Sequence, residues 1–195
     1  LGIATATEKA GVRIFENSRV QRIESGDAPL VVTGQGQVRC RHLLLAGNAY
    51  LHGIASSIHR NLMPVGTYIG ATEPLGAERA EALISNRMAV ADTNFVLDYY
   101  RCSADHRLLF GGRVSYSTVE PRDLPETMRQ RMLLVFPQLK GVRMDYAWGG
   151  YVGITMNRAP NLGRLAPNIF FALLATALIS ASSFTSNLAN AHTVF

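Results

Sequence analysis

Five histidines, two cysteines and a scatter of carboxylates are the side chains of this sequence with the most direct claim on chemistry. A metal site needs such ligands at short, recurring spacings, as when two histidines share one helix face with an acidic partner. His42, His52, His59, His106 and His192 never fall into that arrangement, and Cys40 and Cys102 make no CxxC pair. No metal site is therefore expected. Serine nucleophiles, phosphate loops and zinc proteases carry local signatures because each chemistry needs a particular backbone turn. GxSxG, GxxxxGKS/T and HExxH are absent, and no GxGxxG opens a helix. Asp92, Asp98 and Asp145 lie in strand-like runs, which suits solvated or paired carboxylates better than acid catalysts. By residue type alone the sequence supports an α+β domain without a self-contained catalytic motif.

The elements that would position these residues read as short strands with fewer helices. Ile3, Ala6 and Ala10 recur at helical spacing, with Lys9 in the last turn and Gly11 as a left-handed cap. Strand-like runs cover 12–16 and 19–24. Leu30–Thr33 and residues 37–40 flank Gly34-Gln35-Gly36 as a hairpin, and 42–46 is a compact apolar strand. A helical stretch around 50–60 precedes Pro64, 65–72 is strand-like and 78–84 helical. Residues 95–101 and 107–114 form a second hairpin, with Phe95, Leu97 and Tyr99 on one face and Val96, Asp98 and Tyr100 on the other. Asp123 with Glu126 three residues on is a capping-box pattern. Leu124, Met128, Met132, Val135 and Phe136 give the helix that follows an apolar stripe, and Pro137 stops it. Residues 142–148 are strand-like and lead into the glycine-rich GGYVGI. The most apolar run, 169–181, is shorter than the ~18–20 residues of a membrane span, so it is expected as a buried helix.

Composition narrows the class further. Hydrophobic residues make up 48% and charged residues 17%, too apolar for a disordered chain. The net charge of +5 is scattered: Arg13, Arg19, Arg22, Arg39 and Arg41 stand singly, which argues against a nucleic-acid partner. Residues 1–11 show no secretion-signal pattern. With two well-separated thiols this predicts a reducing, cytoplasmic setting.

Four longer phrases carry more than any single residue. They are VRCRHLLLAGNAYL at 38–51, MPVGTYIGATEPL at 63–75, DTNFVLDYYRCSADHRLLFGGRVSY at 92–116 and YAWGGYVGITMNRAPNLGRLAPNIFFA at 146–172. In this order and spacing they resemble the FAD-dependent amino-acid and amine oxidases of the D-amino-acid oxidase type, over residues 1 to about 172. The resemblance implies an α+β fold in three parts. Residues 1–63 would be the second part of a Rossmann-like FAD-binding domain, 64–146 a mixed-sheet substrate domain, and 147–195 a return to the FAD-binding domain that diverges after 172. It places FAD beside the strand around Val20 and the turn at Ala46, Gly47, Asn48 and Tyr50. It places Tyr68, Tyr100 and Trp148 on strands lining a substrate pocket.

Amino-acid oxidases of this kind commonly hold an Arg in the stretch matching 149–155, as a bidentate clamp for the substrate carboxylate. Here the place is taken by Tyr151, which implies an amine of the γ-glutamylputrescine kind rather than a small amino acid. The implied reaction is hydride transfer from the amine to flavin, imine hydrolysis and reoxidation by oxygen. The cofactor carries that chemistry, so no catalytic side chain is assigned. Where the family runs into a glycine-rich turn, residues 173–178 read LLATAL, and 173–181 reads equally as a helix in the core. The chain thus reads as an internal piece of such an oxidase, whose partners are a small amine and the N-terminal half. The contrasting reading is a non-catalytic fragment that binds a partner and does not hold FAD.

Overall fold

Leu, Val, Ile and aromatic residues fill the short runs between turn residues, and these runs fold as strands. The structure is a computed structural model and describes residues 2–94, 96–115, 121–156 and 159–173. In chain order the helices are α1 (Gly2–Lys9), α2 (Ser56–His59), α3 (Ala77–Leu83) and α4 (Leu124–Val135). The strands are β1 (Val20–Glu24), β2 (Leu30–Thr33), β3 (Gln37–Arg39), β4 (Leu43–Leu45), β5 (Leu62–Thr72) and β6 (Val90–Ala91), then β7 (Tyr99–Cys102), β8 (Leu108–Ser115), β9 (Met144–Thr155), β10 (Asn161–Ala166) and β11 (Ile169–Leu173). The mixture is α+β. Among the described residues the chain divides into a first unit, 2–64 with 152–173, and a second, 65–151.

In the first unit β1, β2 and β3 form an antiparallel meander, its β2–β3 turn closed by Thr33, whose N–H donates to the Gly36 carbonyl. A second sheet has the order β10–β11–β4, and β4 runs parallel to β11 with Leu43 opposite Ile169 and Leu45 opposite Phe171. Leu43 and Leu45 therefore point into a core with Val20, Val31, Ile58, Leu62, Ile169 and Leu173. Leu44 points the other way and is 55% exposed. Two expectations are corrected here. Residues 12–16 form no strand: among the described residues no strand pairs with them, and Val12 and Phe15 stay about two-fifths exposed. Ile169–Leu173 is a strand rather than the start of a buried helix: a short, wholly apolar run fits either, and the parallel partner β4 decides. Residues 174–181 lie outside the described residues.

The second unit is a five-stranded sheet of order β6–β7–β8–β5–β9 with α4 on one face. Met128 and Met132 of α4 are fully buried against Tyr68, Leu108, Phe110, Leu139 and Val142. The Asp123 carboxylate accepts the Glu126 N–H at 3.0 Å, as the spacing predicts. Glu126 does not reach back to close the box, because its carboxylate is taken by Arg129 at 2.6 Å. The second hairpin forms with Tyr99 opposite Gly111 and Cys102 opposite Leu108. Its first strand starts only at Tyr99, so the expected alternation at 96–98 is not realised, and Phe95 lies outside the described residues. Instead Asp92 accepts the N–H groups of Asn94 and Asp98 and folds the segment into a turn. Pro64 lies within β5 rather than before it, and β9 runs on through GGYVG.

Polar ties hold the ends of this sheet. The Arg107 guanidinium donates to the Thr72 carbonyl at 2.8 Å and to Asp145 at 2.6 Å, and lies over the Tyr146 ring at 5.1 Å. It thus joins the start of β8 to the ends of β5 and β9. Asp98, only 7% exposed, is clamped by Arg131 of α4 at 2.5 Å. Cys40 and Cys102 are free thiols. Among the described residues no helix is long and apolar enough to cross a membrane.

Burial pushes the Asp98 carboxyl above its usual range, against the opposing pull of Arg131. A carboxyl with a raised native pKa adds stability below its unfolded value of about 3.9 and loses it as pH rises through the native value. The melting temperature of the parent, relative to Asp98→Asn, should therefore fall between pH 4 and 7 in paired thermal scans. A relative melting temperature that climbs with pH would show that the ion pair outweighs the burial.

Candidate functional site

In sheets with parallel strands, ligands collect at the carboxyl ends, where chain reversal leaves a crevice. β4 ends at Leu45 and runs directly into Ala46, Gly47, Asn48 and Tyr50, so the turn singled out from the sequence stands at such an end. Gly47 has φ −78° and makes no use of glycine's left-handed freedom. What it supplies is space, since a Cβ there would stand 2.7 Å from Leu51 Cδ2. Tyr50 is 42% exposed at the end of the short 3-10 turn Asn48–Tyr50. Val20, at the start of β1, belongs to the same apolar cluster as Leu43 and Leu45. The fold thus sets all five candidates on or beside one small core.

Asn48 does something its sequence context did not reveal. Its backbone is left-handed, φ +50°, and its Oδ1 accepts the N–H of Gly153 in β9 at 2.6 Å. The carboxamide oxygen thus meets a backbone group 105 residues away. The one local signal was the residue type, since Asn is among the few non-glycine residues that adopt this conformation readily. Gly153 has no room to spare: a Cβ there would lie 3.0 Å from Asn48 Oδ1 and 3.3 Å from the Ala49 nitrogen.

The four aromatic candidates of the second unit separate into two pairs. Tyr68 and Tyr100 meet in the cluster beneath α4. Tyr68 is 3% exposed, and its ring fills the space in front of Gly149, where a Cβ would come within 2.6 Å. Tyr100 stacks on Phe110 at 5.8 Å and takes Phe136 edge-on at 4.8 Å. Trp148 and Tyr151 are half-buried on β9, where strand alternation sets them on opposite faces. The structure does not gather the four into one wall. No group of three metal-ligating side chains occurs among the described residues. His52 and His59 meet edge-on at 4.9 Å without a third ligand.

Comparison with known proteins adds an independent line. The model of the FAD-dependent oxidoreductase family matches residues 1–178. The chain is 44% identical over 177 residues to a probable oxidoreductase, OrdL, of Haemophilus influenzae, covering 88% of this chain and 40% of that protein. It is 40% identical over 172 residues to the γ-glutamylputrescine oxidoreductase of Escherichia coli, again covering 88% and 40%. The chain thus spans about 40% of the length of the curated relatives it matches. Among solved structures, glycine oxidase from Geobacillus kaustophilus superposes with a TM-score of 0.70 at 18% identity, over 91% of this chain and 48% of that one. L-proline dehydrogenase from P. horikoshii gives 0.69 at 16% identity, over 91% and 50%. At these identities the likeness is one of fold.

Replacing Gly153 by alanine should force Asn48, Ala49 or Leu62 to give way, with a cost on the order of 1–3 kcal/mol for an overpacked site. Urea unfolding of Gly153→Ala should show a lower midpoint at unchanged slope. A midpoint equal to the parent's would mean that the strand is free to move away.

Proposed function

The chain belongs to the FAD-dependent oxidoreductase family, and from that premise we propose that it serves the oxidation of an amine of the γ-glutamylputrescine class. The observation that carries the reading is the identity to γ-glutamylputrescine oxidoreductase across most of this chain, and the resemblance read from the sequence implies Tyr151 where an amino-acid oxidase would place a carboxylate clamp. When bound, FAD supplies the ring that accepts a hydride from the substrate carbon. Ala46 offers the small side chain that close approach of the adenosine side of a dinucleotide needs, Gly47 lets Leu51 pack within the turn, and Val20 and Tyr50 flank it. Asn48 serves this turn by shaping it, its Oδ1 accepting the Gly153 N–H. On β9, Tyr151 provides aromatic surface that shields an amine from water and orients its C–H bond, while Trp148 stands on the opposite face of the strand. Tyr68 and Tyr100 support that strand region from the core beneath.

A second reading, a chain that binds a polypeptide partner without turnover, draws on one observation. α1 buries no residue, and Leu44 (55% exposed) and Leu162 (67%) lie on the same outer face of the β10–β11–β4 sheet. Sheets with parallel strands are ordinarily covered on both faces. The two readings separate on flavin binding by a polypeptide that includes this sequence, and on its colour.

For these 195 residues by themselves we expect weak FAD binding. The pyrophosphate is normally met by a glycine-rich turn at a helix N-terminus. This sequence has no GxGxxG and reads LLATAL at 173–178. Each absent charge-assisted hydrogen bond is worth about 1.5–3 kcal/mol, so losing three weakens binding by several orders of magnitude. Titration followed by flavin fluorescence should show no saturation in the micromolar range, and a stoichiometric yellow complex would refute the reading of the cofactor site. For substrate, an active full-length form should oxidise γ-glutamylated or free diamines better than glycine or D-alanine. Tyr151→Arg should shift that preference toward the amino acids in steady-state assays. A parent enzyme preferring glycine over every amine tested would sink the assignment.

A further inference from the structure

Arginine stays charged in a protein, so a guanidinium taken partly out of water calls for an anion. The second unit follows this rule at three places. Arg107, Arg129 and Arg131 are half-buried, and each holds a carboxylate: Asp145 at 2.6 Å, Glu126 at 2.6 Å and Asp98 at 2.5 Å. Arg101 of β7 is half-buried as well, yet among the described residues no carboxylate or hydrogen-bond acceptor meets its guanidinium. We propose that Arg101 is an anion-binding residue that determines specificity, and that its anion is the free carboxylate at the glutamyl end of a γ-glutamylated amine.

The strand register fixes where Arg101 stands. Tyr100 and Cys102 lie opposite Phe110 and Leu108, in the cluster with Met128 and Met132 of α4. Arg101 lies opposite Leu109, which lies opposite Ala71 of β5, so alternation sets these three on the face turned away from α4. Tyr99 shares that face, its ring covering Gly111 beside Ile69. Tyr99, Ile69 and Ala71 are nearly fully buried. Arg101 is thus a cation at the side of an apolar strip. An ion pair formed there is screened less by water than one on the open surface. Arginine's planar fork also matches a carboxylate, which accepts two parallel N–H groups. A γ-glutamylated diamine ends in an amino-acid group whose α-carboxylate is free, remote from the amine that is oxidised. The unacylated diamine carries an ammonium at that end instead. Arg101 pairs with the first and repels the second, and so selects the acylated amine. The identity of the ligand rests on the reading under Proposed function, whereas the anion site itself does not.

The test compares the parent with Arg101→Leu, which keeps an apolar stem without charge, and Arg101→Lys, which keeps the charge without the fork. On the chain itself, modification by phenylglyoxal, an arginine reagent, is followed by peptide mass spectrometry. Arg101 should react about tenfold faster than Arg107 and Arg131, whose guanidinium groups are held by carboxylates. γ-Glutamylputrescine should slow its modification and putrescine should not; a rate that γ-glutamylputrescine leaves unchanged overturns the proposal. Loss of an unpartnered, half-buried cation should not destabilise the chain, so Arg101→Leu should melt at or above the parent's temperature. A clearly lower melt would assign Arg101 a structural role and overturns the proposal too. In an FAD-loaded, active full-length form, Arg101→Leu should raise KM for γ-glutamylputrescine by about tenfold or more at unchanged flavin content. KM for putrescine should stay equal or fall, and Arg101→Lys should recover part of the loss. Equal changes for the two amines overturn the proposal. So does an Arg101 that resists phenylglyoxal in the substrate-free full-length form, since a carboxylate of the polypeptide would then hold it. Protection of Arg101 by γ-glutamylputrescine, together with no flavin binding or amine turnover in any longer form, would support the anion site and defeat the functional reading instead.

Discussion

An aromatic ring laid across a strand glycine is the contact on which both units are built. In the second unit the Tyr68 ring covers Gly149 and the Tyr99 ring covers Gly111, while in the first the Phe171 ring covers Gly163. At each place a Cβ would collide with the ring, so the glycine is what lets a large apolar side chain lie flat against the neighbouring strand. The arrangement compensates for the weakness of glycine in a strand, since ring area replaces the missing side chain. It also explains why β8 and β9 tolerate paired glycines without breaking. Tyr68 and Tyr99 are each only 3% exposed, which shows how completely these rings are enclosed.

Around these apolar contacts a few polar side chains fix the ends of the elements. Arg107 gathers Thr72 and Asp145, and so brings together the end of β5 and the starts of β8 and β9. Asp98 and Arg131 pin the turn before β7 to α4. Asn48 and Gly153 do the same between the end of β4 and β9. All three ties join residues far apart in sequence. Each involves a group that burial alone would penalise and that a partner satisfies. The surface pairs Arg22–Glu24 and Arg87–Glu81, by contrast, are local and exposed, and pairs of that kind contribute little.

The functional reading follows the same division. The first unit offers small residues at the end of a parallel strand, suited to close approach by a dinucleotide. The second offers aromatic surface carried on a sheet that α4 backs.

Much of this was legible along the chain. The cap at Asp123, the stop at Pro137, the left-handed Gly11 and the hairpins at 30–40 and 99–115 depend on neighbours within a few residues, so local patterns suffice to find them. The family was legible too, because long phrases preserve the order of many such local choices. Other features were decided only by tertiary structure. Residues 169–173 became a strand because β4 lies beside them, whereas no strand among the described residues pairs with 12–16. Asp98 left the hairpin for Arg131 of α4, and the four aromatic candidates parted into a core pair and a β9 pair. Asn48 on the cofactor-side turn accepts the Gly153 N–H through its Oδ1, a partner 105 residues away. In each of these cases a hydrogen bond or a ring contact joins residues brought together only by folding, and a one-dimensional pattern records which groups can bond but not which partner reaches them.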